Sequence, residues 1–215
     1  MAASKEKGMS ALEIKRRARM EELLNTERAW WSQGMTVAGM DEVGRGPLAG
    51  PVVTACVMIP EASVIPGVDD SKKLSEHRRE QLSPLLIESA TYVSIGSASP
   101  ERIDEINILE ATREAMNDAS RGCPCDVLLV DAMTGLNTAC RTEAIIHGDA
   151  LSYMIAAASI IAKVHRDSIM IEMDKLYPEY GFARNKGYGT AEHIEAIKKY
   201  GPCPIHRRSF ISKWL

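Results

Sequence analysis

Four carboxylates carry the chemistry that this sequence suggests. Asp41 and Glu42 stand side by side at the end of an apolar run, residues 37–40. Asp131 ends a second apolar run, 127–130, and Asp149 follows His147-Gly148 just ahead of a long helical pattern. Carboxylates held together repel one another unless cations sit between them, and an all-oxygen site suits Mg²⁺ or Mn²⁺. A cluster of this kind is fitted to phosphoryl transfer with two divalent ions, one activating water and the other stabilising the leaving oxygen.

The elements that must position these acids can be read around them. The acidic pair leads into a loop holding Gly44, Gly46 and Gly50 with Pro47 and Pro51, and a β-rich run, VVTACVMI, follows at once. Adjacent side chains on a strand point to opposite faces, so Asp41 and Glu42 share a site only if the strand bends just after Asp41. Glycine makes such a bend cheap and lets a ligand approach the backbone. Two familiar phosphate motifs fail here: the third glycine is misplaced for a dinucleotide fingerprint and no helix follows, while Gly50 precedes Pro51 where a P-loop needs Lys-Ser/Thr. A surface turn with solvated acids remains the competing local reading.

Composition narrows the classes. A chain of 215 residues with 45% hydrophobic content supports one good core. No uncharged apolar run is long enough to span a membrane, and the start, MAASKEKGMSALEIKRRARM, lacks the apolar centre of a signal peptide, so a cytoplasmic protein is expected. Five cysteines without zinc-type spacing are expected to be reduced thiols. A net charge of −3 argues against indiscriminate nucleic-acid binding, yet residues 181–215 hold seven Lys/Arg against two Glu, a local basic patch.

In chain order, residues 10–33 read as a helix with Leu12, Met20, Leu23, Leu24, Trp30 and Trp31 on one side. Its basic cluster, Lys15, Arg16, Arg17 and Arg19, is interleaved with Glu13, Glu21 and Glu22, which favours a solvated helix packed on the core over a nucleic-acid arm. An antiparallel strand pair follows, then a polar connection through Lys72 and Lys73. Ser75 is an N-cap for a helix that Pro84 should kink. Residues 91–97 alternate as a strand, and Ser99-Pro100 opens a short helix followed by a longer one. Residues 127–130 and 143–146 read as strands, and 152–176 as the central core helix, apolar almost all round in its first half. After a glycine-rich loop, Thr190 caps a helix, 191–200, that stops at Gly201-Pro202. Strands mixed with helices imply a sheet covered on both faces.

The blocks MDEVGRGPLAGPV, DDSKKLS, LLVDA, HGDALSYMIAAASIIAKVHRD and NKGYGTAEH, in this order, closely resemble bacterial ribonuclease HII. The resemblance implies a ribonuclease H-like fold: a mixed five-stranded sheet flanked by helices, with a small C-terminal helical part. It divides the chain into an N-terminal helical extension (1–36), a catalytic core (37–180) and a C-terminal substrate-contacting loop and helix (181–215). It implies a monomeric endonuclease that cuts RNA in RNA–DNA hybrids, or 5′ of single ribonucleotides in duplex DNA, leaving 5′-phosphate and 3′-hydroxyl ends. Asp41, Glu42, Asp131 and Asp149 match the family's carboxylates for two Mg²⁺ or Mn²⁺ ions. Gly44, Arg45 and Gly46 match its reader of the ribose 2′-OH, Lys72 and Lys73 a phosphate-contacting segment, and Tyr188 the tyrosine at the RNA-to-DNA junction. Departures are His147 where the family commonly has Lys, Ala132 where it has Gly, and Tyr153-Met154 for smaller or more polar residues. His147 is more simply a structural histidine, and Asp167 a salt-bridge partner on the core helix. A non-catalytic hybrid-binding protein and a nuclease acting on DNA alone are the competing classes.

Overall fold

The computed structural model describes residues 9–214. Five strands form one mixed sheet in the order β3-β2-β1-β4-β5, with β1 at Val37–Val43, β2 at Val52–Met58, β3 at Tyr92–Ala98, β4 at Val127–Asp131 and β5 at Arg141–Ile145. β1 pairs with β2 and β2 with β3 in antiparallel fashion, while β1–β4 and β4–β5 are parallel. The central strands are buried on both faces, which is why 127–130 reads as an unbroken apolar run.

One face is covered by α1 (Ala11–Trp31), α2 (Glu76–Ser89) and, after the one-turn α4 (Gly148–Leu151), the long α5 (Tyr153–Leu176). The other is covered by α3 (Pro100–Ser120), whose Met116 and Ala119 pack on Ala38, Met40, Leu128 and Val130. Gly39 allows a close contact in the core: a Cβ there would lie 2.3 Å from the backbone of Met154 in α5. The chain continues through α6 (Phe182–Asn185), α7 (Ala191–Tyr200) and α8 (Arg208–Ile211). These share a core cluster with Leu48, Ala49 and Met170.

Local signals in the sequence correspond closely to these elements. Ser75, Ser99 and Thr190 each accept a hydrogen bond from the backbone N–H three residues on, as N-caps do. α3 is two helices joined at Asn107, which has φ 70° and whose side chain caps the second through the N–H groups of Leu109 and Glu110. α1 is packed on the core through Leu23 and Leu24, and Arg19 binds Asp69, in line with a salt-bridged helix; Leu12 is 55% exposed and lies outside the packed stripe. α2 runs on through Pro84 as one helix, because the carbonyl that loses its partner belongs to exposed Glu80. Among the described residues no helix is long and apolar enough to cross a membrane.

Candidate active site

The register of the two central strands brings the first acids together. β1 and β4 pair up to Met40 opposite Val130, so Asp41 and Asp131 are the next residues on neighbouring strands. There the strands part. β1 continues against β2 as far as Val43 and Val53, and β4 against β5 to Asp131 and Ile145, which opens a space between their carboxyl ends. The expected bend just after Asp41 is therefore absent: the strand persists to Val43 and turns at Gly44, φ 95°.

Asp41 is 6% exposed, and its Oδ1 accepts the Glu42 N–H at 2.8 Å. Burial first, and then the neighbouring Glu42 charge, hold its carboxyl well above the usual range, although Ser159 of α5 works the other way. Burial also raises Glu42, against the opposing pull of Arg45 at 3.3 Å. Glu42 Oε2 is buried with no hydrogen-bond partner, and so is Oγ1 of Thr54 directly opposite it on β2. Asp131 is raised chiefly by burial, while the Gly148 N–H, 2.8 Å from its Oδ1, pulls it down and the Asp149 charge pushes it up.

Asp149, 5% exposed, sits in the first turn of α4, the one-turn helix just ahead of α5, and its Oδ2 accepts Lys72 Nζ at 2.9 Å. His147 is exposed, adopts the left-handed conformation (φ 58°) and starts that turn. Ala132 is also left-handed, φ 49°, which explains physically why glycine suits this position. Asp41, Glu42 and Asp131 thus feel one another's charge, and Asp131 that of Asp149, without the four closing into a cage. Among the described residues no three His, Cys, Asp or Glu side chains stand in a metal-holding arrangement.

The glycine loop beside them is pinned by two fully buried arginines that sequence reasoning missed. Arg207 donates to the carbonyls of Gly44, Arg45 and Gly50, and Arg166 to those of Ala49, Pro51 and Lys186. Each guanidinium replaces its lost hydration with carbonyl dipoles in a fixed fork. Gly44 is required by this clamp, since a Cβ would lie 2.3 Å from Arg166 Nε at a positive φ. Gly46 differs: among the described residues the only atom within 4 Å of its missing Cβ is Tyr188 Cε1, at 3.9 Å, so it faces open space beside that ring.

Tyr188 is 42% exposed and lies across the loop from Gly46. Lys72 and Lys73 follow Asp70, which caps a short turn there, and Ser71 ties that turn to Ser159 at 2.8 Å. Lys73 is largely exposed, 4.0 Å from Asp69. Asp167 pairs with Lys163 at 2.8 Å, the salt bridge expected of it. Another residue missed is Glu27 of α1, fully buried, which accepts the Ser152 hydroxyl and the Met154 N–H at the start of α5. Its place among the charges of a mixed helix gave no signal, whereas the HRR run at 206–208 could have marked Arg207.

A family model described as ribonuclease HII matches residues 38–213. A ribonuclease HII from Caldanaerobacter subterraneus subsp. tengcongensis is 51% identical over 200 residues, spanning 92% of this chain and 83% of that protein. One from Desulfitobacterium hafniense is 52% identical over 195 residues, 89% of this chain and 75% of that one. The crystal structure of ribonuclease H2 from Pyrococcus horikoshii OT3 superposes with a TM-score of 0.71 at 30% identity, over 84% of this chain and 97% of that one. With five ordered sequence blocks, a ribonuclease H-like sheet and a match over most of its length, this chain belongs to the ribonuclease HII family of endoribonucleases.

Proposed function

We propose that this protein hydrolyses the RNA strand of RNA–DNA hybrids and cuts 5′ of single ribonucleotides embedded in duplex DNA, leaving 5′-phosphate and 3′-hydroxyl ends. One observation carries the reading: Asp41 and Asp131 follow the last paired residues of two neighbouring parallel strands, and beside Asp41 a carboxylate oxygen, Glu42 Oε2, is buried without a partner. An orphaned carboxylate oxygen among carboxyls raised by burial and mutual repulsion is what a divalent cation would relieve. Asp41, Glu42, Asp131 and Asp149 would hold two such ions, Mg²⁺ or Mn²⁺. When bound, they supply the polarisation that makes water nucleophilic and stabilises the departing 3′-oxygen.

The chain's own groups orient the substrate. The open backbone at Gly46 allows a ribose to approach, with Arg45 beside it, and the Tyr188 ring lies where the next sugar would pack. A deoxyribose offers that ring an apolar face and an added 2′-OH would crowd it. Lys72 and Lys73, on an exposed turn at the edge of the acidic space, would take backbone phosphates. Lys72 now neutralises Asp149, and would exchange that carboxylate for a phosphate once a cation takes its place. On this reading 37–180 is the catalytic core, 1–36 an N-terminal extension of which residues 1–8 lie outside the described residues and α1 packs on the core, and 181–215 the part that sets the substrate loop. The enzyme would act as a cytoplasmic monomer.

The test is cleavage of a duplex carrying one ribonucleotide beside an all-DNA control, with Mg²⁺ or Mn²⁺ and then EDTA. Metal-dependent cutting of the first alone is expected. Asp131→Asn should lower cleavage by orders of magnitude while duplex binding persists. Cleavage of the all-DNA duplex, or binding without cleavage by wild-type protein, would refute the reading.

A further inference from the structure

A buried chain of hydrogen bonds joins the two parts of the candidate substrate pocket, and its proton positions are fixed by its ends. His193, at the start of α7, is fully buried; its Nδ1 lies 2.9 Å from the Tyr188 carbonyl and its Nε2 lies 3.0 Å from Nε2 of His206, itself 2% exposed. His206 Nδ1 receives the Cys203 N–H at 3.0 Å, with the Cys203 thiol at 3.1 Å. A carbonyl can only accept, so His193 carries its proton on Nδ1. A backbone N–H can only donate, so His206 Nδ1 is a lone pair and the proton is on Nε2. That proton then points at the free lone pair of His193 Nε2. One arrangement satisfies every bond, and both rings are neutral in it.

The far end of this chain is anchored at the glycine loop. His206 bridges Ala49 in antiparallel fashion, Gly50 N–H donates to Ile205 O, and Arg207 N–H donates to Leu48 O. We propose that His193 and His206 act as a strut between Gly46 and Tyr188, setting the width of the slot that separates a ribonucleotide from the deoxyribonucleotide after it. The two are positioning residues, and the proposal rests on the substrate reading above.

The surroundings suit neutral rings. Tyr180 packs edge-on against His206, with ring centroids 4.8 Å apart, and Phe182 packs against His193 at 5.4 Å. Burial lowers His193 despite its bond to Tyr188, and burial, followed by the repulsion that two charged rings would feel, pushes His206 down to about 4. Arg208 adds to that push, while Glu179 faces Cys203 and Tyr180. Among the described residues no carboxylate hydrogen-bonds either ring. Protonating His193 would set two N–H groups against each other at the ring-to-ring contact, and protonating His206 would do so at Cys203.

The test is a double-mutant cycle. His193→Phe keeps the ring's bulk but loses the bond to Tyr188 O. On a duplex with one ribonucleotide it should lower kcat/KM by about 5-fold to 150-fold, the range expected if the Tyr188 stacking is lost. The loss should be smaller within continuous RNA, and Tyr188→Ala should add little in the His193→Phe background. His193→Gln, which can still donate, should recover part of the selectivity. A folded His193→Phe protein with unchanged junction preference, or additive losses in the cycle, would overturn the proposal. Imidazole ¹⁵N spectra of the wild-type protein decide it even if that variant fails to fold, or if no substrate is cut. Neutral rings at pH 7, with protons on His193 Nδ1 and His206 Nε2, are required, and any other pattern removes the strut.

Discussion

Asp41→Asn separates a carboxylate kept for cations from one kept for the fold. Asp41 is buried, and both its burial and the Glu42 charge hold its carboxyl above the usual range. A carboxyl raised in the folded state contributes stability while protonated, below the unfolded value near 4. It loses that contribution as pH rises through the folded value. Metal-free protein at pH 7.5 therefore carries the cost that burial and the Glu42 charge impose on this carboxyl. Asparagine keeps the shape and the acceptor for the Glu42 N–H, offers its NH₂ to the Ser159 hydroxyl, and removes the repulsion. An incompletely compensated buried polar group costs roughly 1–3 kcal/mol. For a domain of this size that is about 2–12 °C in Tm. In EDTA the variant should thus melt higher than wild type at pH 7.5, with the gap closing toward pH 4. Mg²⁺ should raise the wild-type Tm with concentration, as a ligand specific to the folded state does, and leave the variant nearly unmoved. Thermal melts in EDTA and across a Mg²⁺ series measure both effects. A metal-free variant that melts below wild type, or equal Mg²⁺ stabilisation of the two proteins, would refute the assignment.

Three further outcomes are expected. Replacing Lys72 and Lys73 together by Ala should weaken binding to all duplexes and flatten the slope of log K against log[salt] by about two units; an unchanged slope would return both to ordinary surface lysines. Gly46→Val should melt near wild type, because its side chain meets only the Tyr188 ring, yet cleave poorly; undiminished cleavage would make the loop a mere turn. Arg207→Ala strands the carbonyls of Gly44, Arg45 and Gly50, so stability should fall by roughly 3–5 kcal/mol, the tail typical of broken buried networks, with activity lost alongside. Denaturant melts measure the first effect, and a loss below 1 kcal/mol would show that water replaces the clamp.

What the sequence determined by itself was whatever depends on near neighbours. Ser75, Ser99 and Thr190 announce helix starts because a cap bonds three residues along its own chain. The runs ending in Asp41 and Asp131 announce strands because a doubly buried strand must be apolar until it reaches solvent or a site. The ordered family blocks then pointed to the sheet and the acids within it. The tertiary structure decided what depends on distant partners. Gly44 and Gly46 look alike in sequence, yet one is demanded by Arg166 and the other opens on the space under Tyr188. Arg207 meets Gly44 across 163 residues, and His206 is joined to Tyr188 through the ring of His193. Asp41 comes beside Asp131 through the register of β1 against β4, while β1 stays paired with β2 as far as Val43. Such contacts leave no periodicity or spacing in the chain, because their energy comes from groups that folding alone makes adjacent.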